Sequence, residues 1–151
     1  MKLVFDIETD GLDASKIWCI VAKDLETNKV HTFNPDQIKE GLDLLAKAEL
    51  LVGHNILGFD IPIIEKLTGL SFKDKKVIDT LVLSRLAKPE RGGHGLKAWG
   101  FNLGFNKGSM EEHGFTHYSD EMLEYCINDV ELNSKVFNVV LKELEGFDSK
   151  S

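Results

Sequence analysis

Residues 2–12, KLVFDIETDGL, join a strand-like apolar run to two carboxylates and a turn. The β-branched and aromatic side chains of residues 2–7 predict a strand. Side chains two apart on a strand point to the same face, so Asp6 and Glu8 should converge near its end. Residues 9–12 have a turn composition, and α/β proteins usually build their sites where a strand leaves the sheet. A D-x-E pair by itself is more often solvated than functional.

The remainder of the chain alternates predicted strands and helices. Further strands are predicted at residues 17–23, 30–33, 50–52 and 76–78, and helices after the caps Asn34, Asp79 and Ser119, at residues 62–67 and around residues 96–99. The last helix is expected to end at Gly146. This order indicates an α/β fold, a sheet covered by helices. No repeat or linker divides residues 1–151, which are expected to form a single domain.

The composition is that of a soluble globular protein, with 42% hydrophobic and 28% charged residues. No apolar segment is long enough to span a bilayer, and the N-terminus leads into a strand rather than a signal peptide. Cys19 and Cys126 lie in apolar patterns without metal-ligand spacing, so both are expected to be reduced core residues. A cytoplasmic protein with no membrane partner is therefore predicted.

The formal net charge of −7 argues against a broad basic surface of the kind that most nucleic-acid-binding domains display. A site built from carboxylates nevertheless carries its own negative charge until cations bind, and bound metal ions then dominate the local field. The acidic balance therefore argues against tight, sequence-independent binding along nucleic acid. It is compatible with an enzyme that holds only a chain end.

A third carboxylate, Asp60, ends the segment VGHNILGFD of residues 52–60, where a predicted strand passes through a loop into a helix. Aspartate is a favoured N-cap residue, so Asp60 could equally cap the helix that begins near Pro62. Asn55 in the same loop could likewise be only a turn residue. The local sequence leaves both alternatives open.

Tyr125 and Asp129 are four residues apart on the last predicted helix and therefore lie one turn apart on the same face. They flank Cys126 and Val130 of its apolar stripe, at the edge of the buried side. A half-buried tyrosine with a surface aspartate is the structural alternative. Near two other acids, the same pair suits a different role, that of holding and activating a water molecule.

Four carboxylates in one site, those of Asp6, Glu8, Asp60 and Asp129, cannot all stay ionised without cations, because like charges at short range repel. Oxygen ligands select hard ions, so magnesium or manganese is expected rather than zinc. Two such ions, about 3.5–4 Å apart, would contact both the attacking and the leaving oxygen of a phosphodiester.

Three ordered motifs resemble those of the DEDD exonuclease superfamily, tyrosine subclass: D-I-E at residues 6–8, N-x₃-F-D at residues 55–60 and Y-x₃-D at residues 125–129. Residues 78–86, IDTLVLSRL, and residues 94–100, HGLKAWG, are similar to the proofreading domain of family A DNA polymerases of short-tailed phages. The resemblance covers nearly the whole chain. It implies a ribonuclease H-like fold with a mixed five-stranded sheet flanked by helices, and a host-cytoplasm location if the chain is phage-encoded.

The resemblance also implies a role for each motif residue. The four carboxylates would bind two divalent metal ions, Mg²⁺ or Mn²⁺, directly or through water, and Tyr125 would orient the attacking water. Glu8 and the backbone of Thr9 would meet the terminal 3′-hydroxyl, and Leu12 would wedge against the terminal bases.

Other residues are expected on the substrate side of the site. Asn55 and Phe59 would support the substrate from the second motif. His94 is a candidate phosphate contact, as are Arg85, Lys97 and Lys107, although surface solvation is the more common explanation of a single basic side chain. His94 could also be a structural histidine. In two stretches, residues 86–94 and 108–119, the chain is shorter than the resemblance leads us to expect.

The resulting expectation is a monomeric 3′–5′ exodeoxyribonuclease that releases nucleoside 5′-monophosphates from single-stranded or frayed DNA, in replication proofreading or DNA degradation. Its partners would be a DNA 3′ end and a DNA polymerase, into which the family normally continues where this chain ends. An exoribonuclease is the alternative, because no residue visibly tests for a 2′-hydroxyl. A second alternative is a non-catalytic module that binds a DNA end or a polymerase. Such a module would be expected to lack one of the acidic ligands or Tyr125, and none of them is missing.

Overall fold

A computed structural model describes residues 1–105 and 115–148, with side chains described as far as residue 146. The strands are β1 (Lys2–Thr9), β2 (Ile17–Asp24), β3 (Val30–Phe33), β4 (Leu50–Gly53) and β5 (Lys76–Asp79). The helices are α1 (Ile38–Lys47), α2 (Ile61–Thr68), α3 (Thr80–Ala87), α4 (Leu96–Leu103) and α5 (Asp120–Asp148). A 3₁₀ turn, Pro35–Gln37, precedes α1, and one π-helical turn, Ile56–Asp60, precedes α2.

The five strands form one mixed sheet in the order β3-β2-β1-β4-β5. The β1–β2 and β2–β3 pairs are antiparallel, whereas β4 pairs in parallel with both β1 and β5. The predicted mixed five-stranded sheet flanked by helices is confirmed. The central position of β1 is important for function because elements on both sides of the sheet can reach its end.

The two faces of β1 pack against different helices because strand side chains alternate. Leu3, Phe5 and Ile7 are buried in the cluster that includes residues of α1 and α2. Val4 is buried in a second cluster, with residues of α5. By the same alternation, Asp6 and Glu8 lie on the α5 face, which is where they were predicted to converge.

Predicted helix boundaries are largely confirmed. Asn34 begins the first helical segment in a capping box with Gln37, although its first turn is 3₁₀ rather than α-helical. Gly69, with φ of 76°, ends α2 in the left-handed conformation that glycine adopts without a Cβ clash. The α4 helix is longer than predicted and ends at another left-handed glycine, Gly104.

The predicted end of the last helix at Gly146 is wrong, because α5 continues to Asp148. A glycine within a helix costs only about 0.5–1 kcal/mol relative to alanine, which does not by itself end a long helix. Within the ranges described, no helix combines the length and the apolar character that crossing a membrane requires.

Candidate active site

Asp6 and Glu8 lie near the end of β1 on the face that α5 covers. Glu8 is buried and Asp6 is partly buried. A register shift between Glu8 and Thr9 ends the regular pairing with β2 at this point. The potential ligand atoms of Asp6, Glu8 and Cys126 all lie within 4.8 Å of one another. The structure therefore brings the first motif against α5.

Asp60 is buried at the end of the π-helical turn and does not cap α2, because its side chain makes no capping hydrogen bond. Its carboxylate instead accepts a hydrogen bond from the backbone of Ile7 and shares one with the carboxyl group of Asp6. Its Oδ2 atom is buried and has no hydrogen-bond partner among the described residues. The alternative that Asp60 is only a helix cap is thereby excluded.

The π-helical turn reaches β1 because β4 ends in a glycine. A Cβ at Gly53 would lie 2.2 Å from Cγ2 of Ile56 and 3.1 Å from the carbonyl oxygen of Phe5. Ile56 is fully buried and cannot move away easily. Gly53 therefore allows the turn to pack directly onto β1, which places Asp60 beside Asp6.

The α5 helix supplies the remaining motif residues. Asp129 is buried, and Tyr125 is half-buried one turn before it on the same face. Between them, Cys126 places its Sγ atom 3.6 Å from the carbonyl oxygen of Asp6 and 3.7 Å from Asp6 Oδ2. Both cysteines are free and buried, as predicted. The contact of Cys126 with Asp6 was not predicted, since it joins residues 120 positions apart.

Burial and neighbouring charges raise the pKa values of Asp6 and Asp60. The pKa of Asp6 is well above its usual value, because of burial first and then because of the negative charges of Asp60, Glu8 and Asp129. Burial raises the pKa of Asp60 to about 7, against the opposing effect of the hydrogen bonds from Asp6 and the Ile7 backbone. Both shifts favour the protonated forms of Asp6 and Asp60 in the absence of a cation.

The donor set fits a hard divalent cation. Carboxylate oxygens converge at the site, and the buried Oδ2 of Asp60 has no hydrogen-bond partner in the described ranges. Cys126 adds a sulfur, but burial raises its pKa, so the side chain remains a neutral thiol at neutral pH and a poor ligand. The site therefore presents oxygen ligands to a metal ion, as magnesium and manganese prefer.

The loop after β1 is held by Asp10, a residue for which the sequence indicated only a turn. Its carboxylate accepts hydrogen bonds from the backbone N–H of Ser15 at 2.9 Å, from the Ser15 hydroxyl at 2.5 Å and from the Lys16 N–H at 3.1 Å. These bonds lower the pKa of Asp10 to about 2. The anchored loop presents Leu12 to solvent with 91% of its surface exposed, the position expected of a wedge.

An apolar slot adjoins the carboxylates. Its volume is about 260 Å³, and it is lined by the end of β1, Leu12, Phe59 and Phe115. Thr9 supports the rim, since its hydroxyl donates to the carbonyl oxygen of Gly11 at 2.9 Å. Phe115 was not predicted because it follows a glycine-rich segment without periodicity. The aromatic character of Phe115 was the only feature of the sequence that could have indicated its place in the slot.

The remaining predicted residues lie around this centre. Asn55 is exposed in the turn before Asp60. Nδ1 of His94 lies 2.6 Å from the Ser84 hydroxyl, and its Nε2 lies 3.4 Å from the carbonyl oxygen of Pro89. Both ring nitrogens thus contact protein atoms, which favours the structural alternative, and the phosphate contact stays a prediction. Arg85 and Lys97 are exposed, and Lys107 lies outside the described residues.

Comparison with curated proteins finds two phage polymerases. The chain is similar to the DNA-directed DNA polymerases of Enterobacteria phage T3 and Escherichia phage T7, each 28% identical over 191 residues. Each alignment covers 96% of the chain but 27% of the polymerase. The chain therefore spans about a quarter of the length of these relatives.

Comparison with solved structures finds proteins with a similar fold. NrnC of Brucella melitensis has a TM-score of 0.76 at 18% identity, over 97% of the chain and 75% of that protein. Exonuclease X, solved in complex with 5′-overhanging duplex DNA, has a TM-score of 0.55 at 20% identity, over 92% of each chain. At these identities the likeness concerns the fold.

The family comparison covers most of the chain. The model of the RNase H superfamily matches residues 3–140. Together with the two polymerases, this match confirms the resemblance that the three motifs indicated. The chain belongs to the RNase H superfamily.

Proposed function

We propose that residues 1–151 form a single metal-dependent 3′–5′ exonuclease domain that hydrolyses the terminal phosphodiester bond of DNA and releases nucleoside 5′-monophosphates. The observation that carries this proposal is the adjacency of four carboxylates and an apolar slot. A carboxylate cluster alone fits many metal enzymes. A slot for one base directly beside it favours an enzyme that recognises a chain end.

The cluster would hold two Mg²⁺ or Mn²⁺ ions through Asp6, Glu8, Asp60 and Asp129. When bound, such ions stabilise negative charge on phosphoryl oxygens and lower the pKa of a bound water. The chain contributes the fixed arrangement of ligands. Because burial raises the pKa values of both Asp6 and Asp60, and the neighbouring carboxylates raise that of Asp6 further, cation binding should release protons from the pair.

Tyr125 would orient the attacking water by a hydrogen bond. A phenol with an ordinary pKa near 10 is a poor base at neutral pH, so its role is to position the water rather than to accept its proton. Its location one turn from Asp129 supports this assignment, because the hydroxyl and the carboxylate lie on one face of α5.

The slot would receive the terminal base. Phe59 and Phe115 offer aromatic surface, and the exposed Leu12 stands at the rim where the penultimate base would lie. Stacking of a base on an aromatic side chain contributes about 1–3 kcal/mol. Glu8 and the backbone of Thr9, at the same rim, would meet the 3′-hydroxyl. This arrangement requires an unpaired end, as single-stranded or frayed DNA provides.

A role in proofreading or in DNA degradation follows from the proposed activity. The two phage relatives are DNA polymerases, which supports a DNA substrate and a functional connection to a polymerase. The acidic net charge of −7 fits an enzyme that holds a short end and not a long duplex.

The first test removes either the metal ion, with a chelator, or one of its proposed carboxylate ligands, by substitution. With 5′-labelled single-stranded DNA and Mg²⁺ or Mn²⁺, we expect a ladder shortened from the 3′ end, and no cleavage in chelator. Asp6→Ala and Asp129→Ala should each lower the rate by about 10³-fold or more, since a metal supplies several kcal/mol of transition-state stabilisation. Glu124→Ala, an exposed acid on the same helix, is the matched control. Undiminished cleavage in chelator would contradict the proposal, and faster cleavage of matched RNA would favour an exoribonuclease.

The second test replaces Tyr125 by phenylalanine, which keeps the ring and removes the hydroxyl. We expect a loss in rate on the order of 10²-fold, the lower range for a group that positions a proton-transfer partner. The thermal shift produced by metal should be unchanged, since Tyr125 is not a proposed ligand. A wild-type rate, or loss of the metal-induced shift, would exclude the water-orienting role.

The third test concerns the slot. Phe115→Ala should slow digestion of single-stranded DNA about 10-fold, in line with the loss of one stacking contact. Phe101→Ala is the matched control, because Phe101 is 88% exposed and does not line the slot.

Wild-type protein should digest a blunt, GC-rich duplex more slowly than a single strand, since unstacking a base costs a few kcal/mol. Equal rates on both substrates would argue against the slot as the base site.

The fourth test measures stability against pH without divalent ions. The folded pKa of Asp60, about 7, exceeds its ordinary value of 3.8, so the folded state binds more protons between these values. Its contribution to stability is present in full below pH 3.8 and is lost as pH rises through 7. The free energy of unfolding of wild type should therefore decrease from pH 6 to pH 8 relative to that of Asp60→Asn. Parallel profiles from chemical denaturation would contradict the raised pKa.

A further inference from the structure

The end of β5 carries a buried carboxylate, Asp79, that makes more hydrogen bonds than a helix cap requires. Its Oδ1 accepts from the Leu81 N–H at 2.9 Å, which is the capping bond of α3. Oδ1 also accepts from the Asn55 N–H at 2.8 Å, and Oδ2 accepts from the Leu57 N–H at 3.0 Å. Two of the three bonds therefore bind the turn that leads to Asp60.

This turn needs support because its backbone is unusual. Asn55 has φ of 60°, in the left-handed region that non-glycine residues seldom occupy. The Asn55 carbonyl oxygen accepts from the Phe59 N–H at 3.1 Å, and the Ile56 carbonyl oxygen accepts from the Ile61 N–H, which closes the π-helical turn. Asp79 binds the N–H groups on both sides of the first residue of that turn, so it fixes where the turn starts. The position of Asp60, at its other end, follows from this start.

The next residue, Thr80, connects the same region to α5. Thr80 is fully buried, and its Oγ1 lies 2.7 Å from Nδ1 of His54, 3.1 Å from the Gly53 carbonyl oxygen and 2.8 Å from Nδ2 of Asn133. Asn133 is buried one helical turn after Asp129. One hydroxyl group thus joins the end of β4, the start of α3 and the part of α5 that carries Asp129.

The Thr80 hydroxyl has one hydrogen to donate and two acceptors within reach. Nε2 of His54 lies 2.7 Å from the carbonyl oxygen of His94, which only accepts, so Nε2 carries a hydrogen. Burial lowers the pKa of His54, so the ring is neutral and Nδ1 is an acceptor. The Thr80 hydroxyl therefore accepts from Nδ2 of Asn133 and shares its hydrogen between Nδ1 of His54 and the Gly53 carbonyl oxygen.

We propose that Asp79 and Thr80 are positioning residues that set the distance between Asp60 and Asp129. Asp79 fixes the turn that carries Asp60, and Thr80 fixes α5 through Asn133. The inference rests on the proposed function, in which Asp60 and Asp129 are both metal ligands. The hydrogen bonds described above join Asp79 to the turn that leads to Asp60, and Thr80 to Asn133, one helical turn after Asp129.

The experiment compares three variants with a matched control. Thr80→Val removes the hydroxyl at constant shape, and Thr80→Ser restores it. Asp79→Asn replaces one acceptor oxygen by a donor. The control is Asp24→Asn, because the Asp24 carboxylate also accepts two backbone N–H bonds, from Glu26 and Thr27, but in the turn between β2 and β3. Each variant is titrated with Mn²⁺ and Mg²⁺ without nucleic acid, with thermal stability as the readout, and kcat and KM are then measured on single-stranded DNA.

We expect Thr80→Val and Asp79→Asn to need 10- to 100-fold more metal for half of the stabilisation, the range typical of residues that orient metal ligands. Their kcat at fixed metal should decrease while KM for DNA changes little, and Thr80→Ser should recover the wild-type midpoint. Asp24→Asn should lower the melting temperature without moving the metal midpoint. If Asp79→Asn fails to fold, the comparison of Thr80→Val with Thr80→Ser tests the inference.

Two outcomes separate the inference from the function on which it rests. If wild type binds metal and degrades DNA, but Thr80→Val loses stability with an unchanged metal midpoint, Thr80 and its network are only structural and the inference is overturned. If wild type binds metal and degrades no DNA or RNA, the proposed function fails, and the shift in midpoint still tests the positioning role. If metal does not stabilise wild type at all, both are overturned.

Discussion

Repulsion among Asp6, Glu8, Asp60 and Asp129 is the interaction that the surrounding structure must oppose. Burial and the negative charges of the other three carboxylates raise the pKa of Asp6, and burial raises that of Asp60. A flexible scaffold would separate the charges. Here each carboxylate belongs to an element whose other residues are firmly packed, so folding elsewhere in the protein holds the cluster together. A cation would be the natural counter-charge, which is the physical basis of the proposed metal site.

The scaffold opposes this repulsion with short-range packing and with buried hydrogen bonds. Gly53 lets the π-helical turn lie directly on β1, and apolar residues of α5 pack on the opposite face of the sheet. Asp79 and Thr80 then join the turn to α3 and α5 through buried and partly buried polar contacts. Such contacts are favourable only when all partners are satisfied, so they specify one arrangement of the elements. The same precision is what a two-metal site would require of its ligands.

Substrate selection in the proposed enzyme depends on shape more than on charge. The net charge is −7, and the centre itself is acidic, so long-range attraction of nucleic acid is weak in the absence of metal. The slot beside the cluster offers apolar and aromatic surface instead, from Leu12, Phe59 and Phe115. Asp10 holds the loop that presents Leu12 at the rim. An unpaired base can fill such a slot, whereas a paired base must first leave its stack.

The sequence alone determined the α/β class, the strands, most helix ends and the identity of the motif residues, because periodicity, caps and short motifs are local. Gly146 misled the prediction of a helix end, since the cost of one helical glycine is small. Only the tertiary structure decided that Asp60 joins the cluster instead of capping α2, that Cys126 contacts Asp6 and that Phe115 completes the slot. Cys126 and Asp6 are 120 residues apart, and contacts between such distant residues leave no periodic trace in either segment.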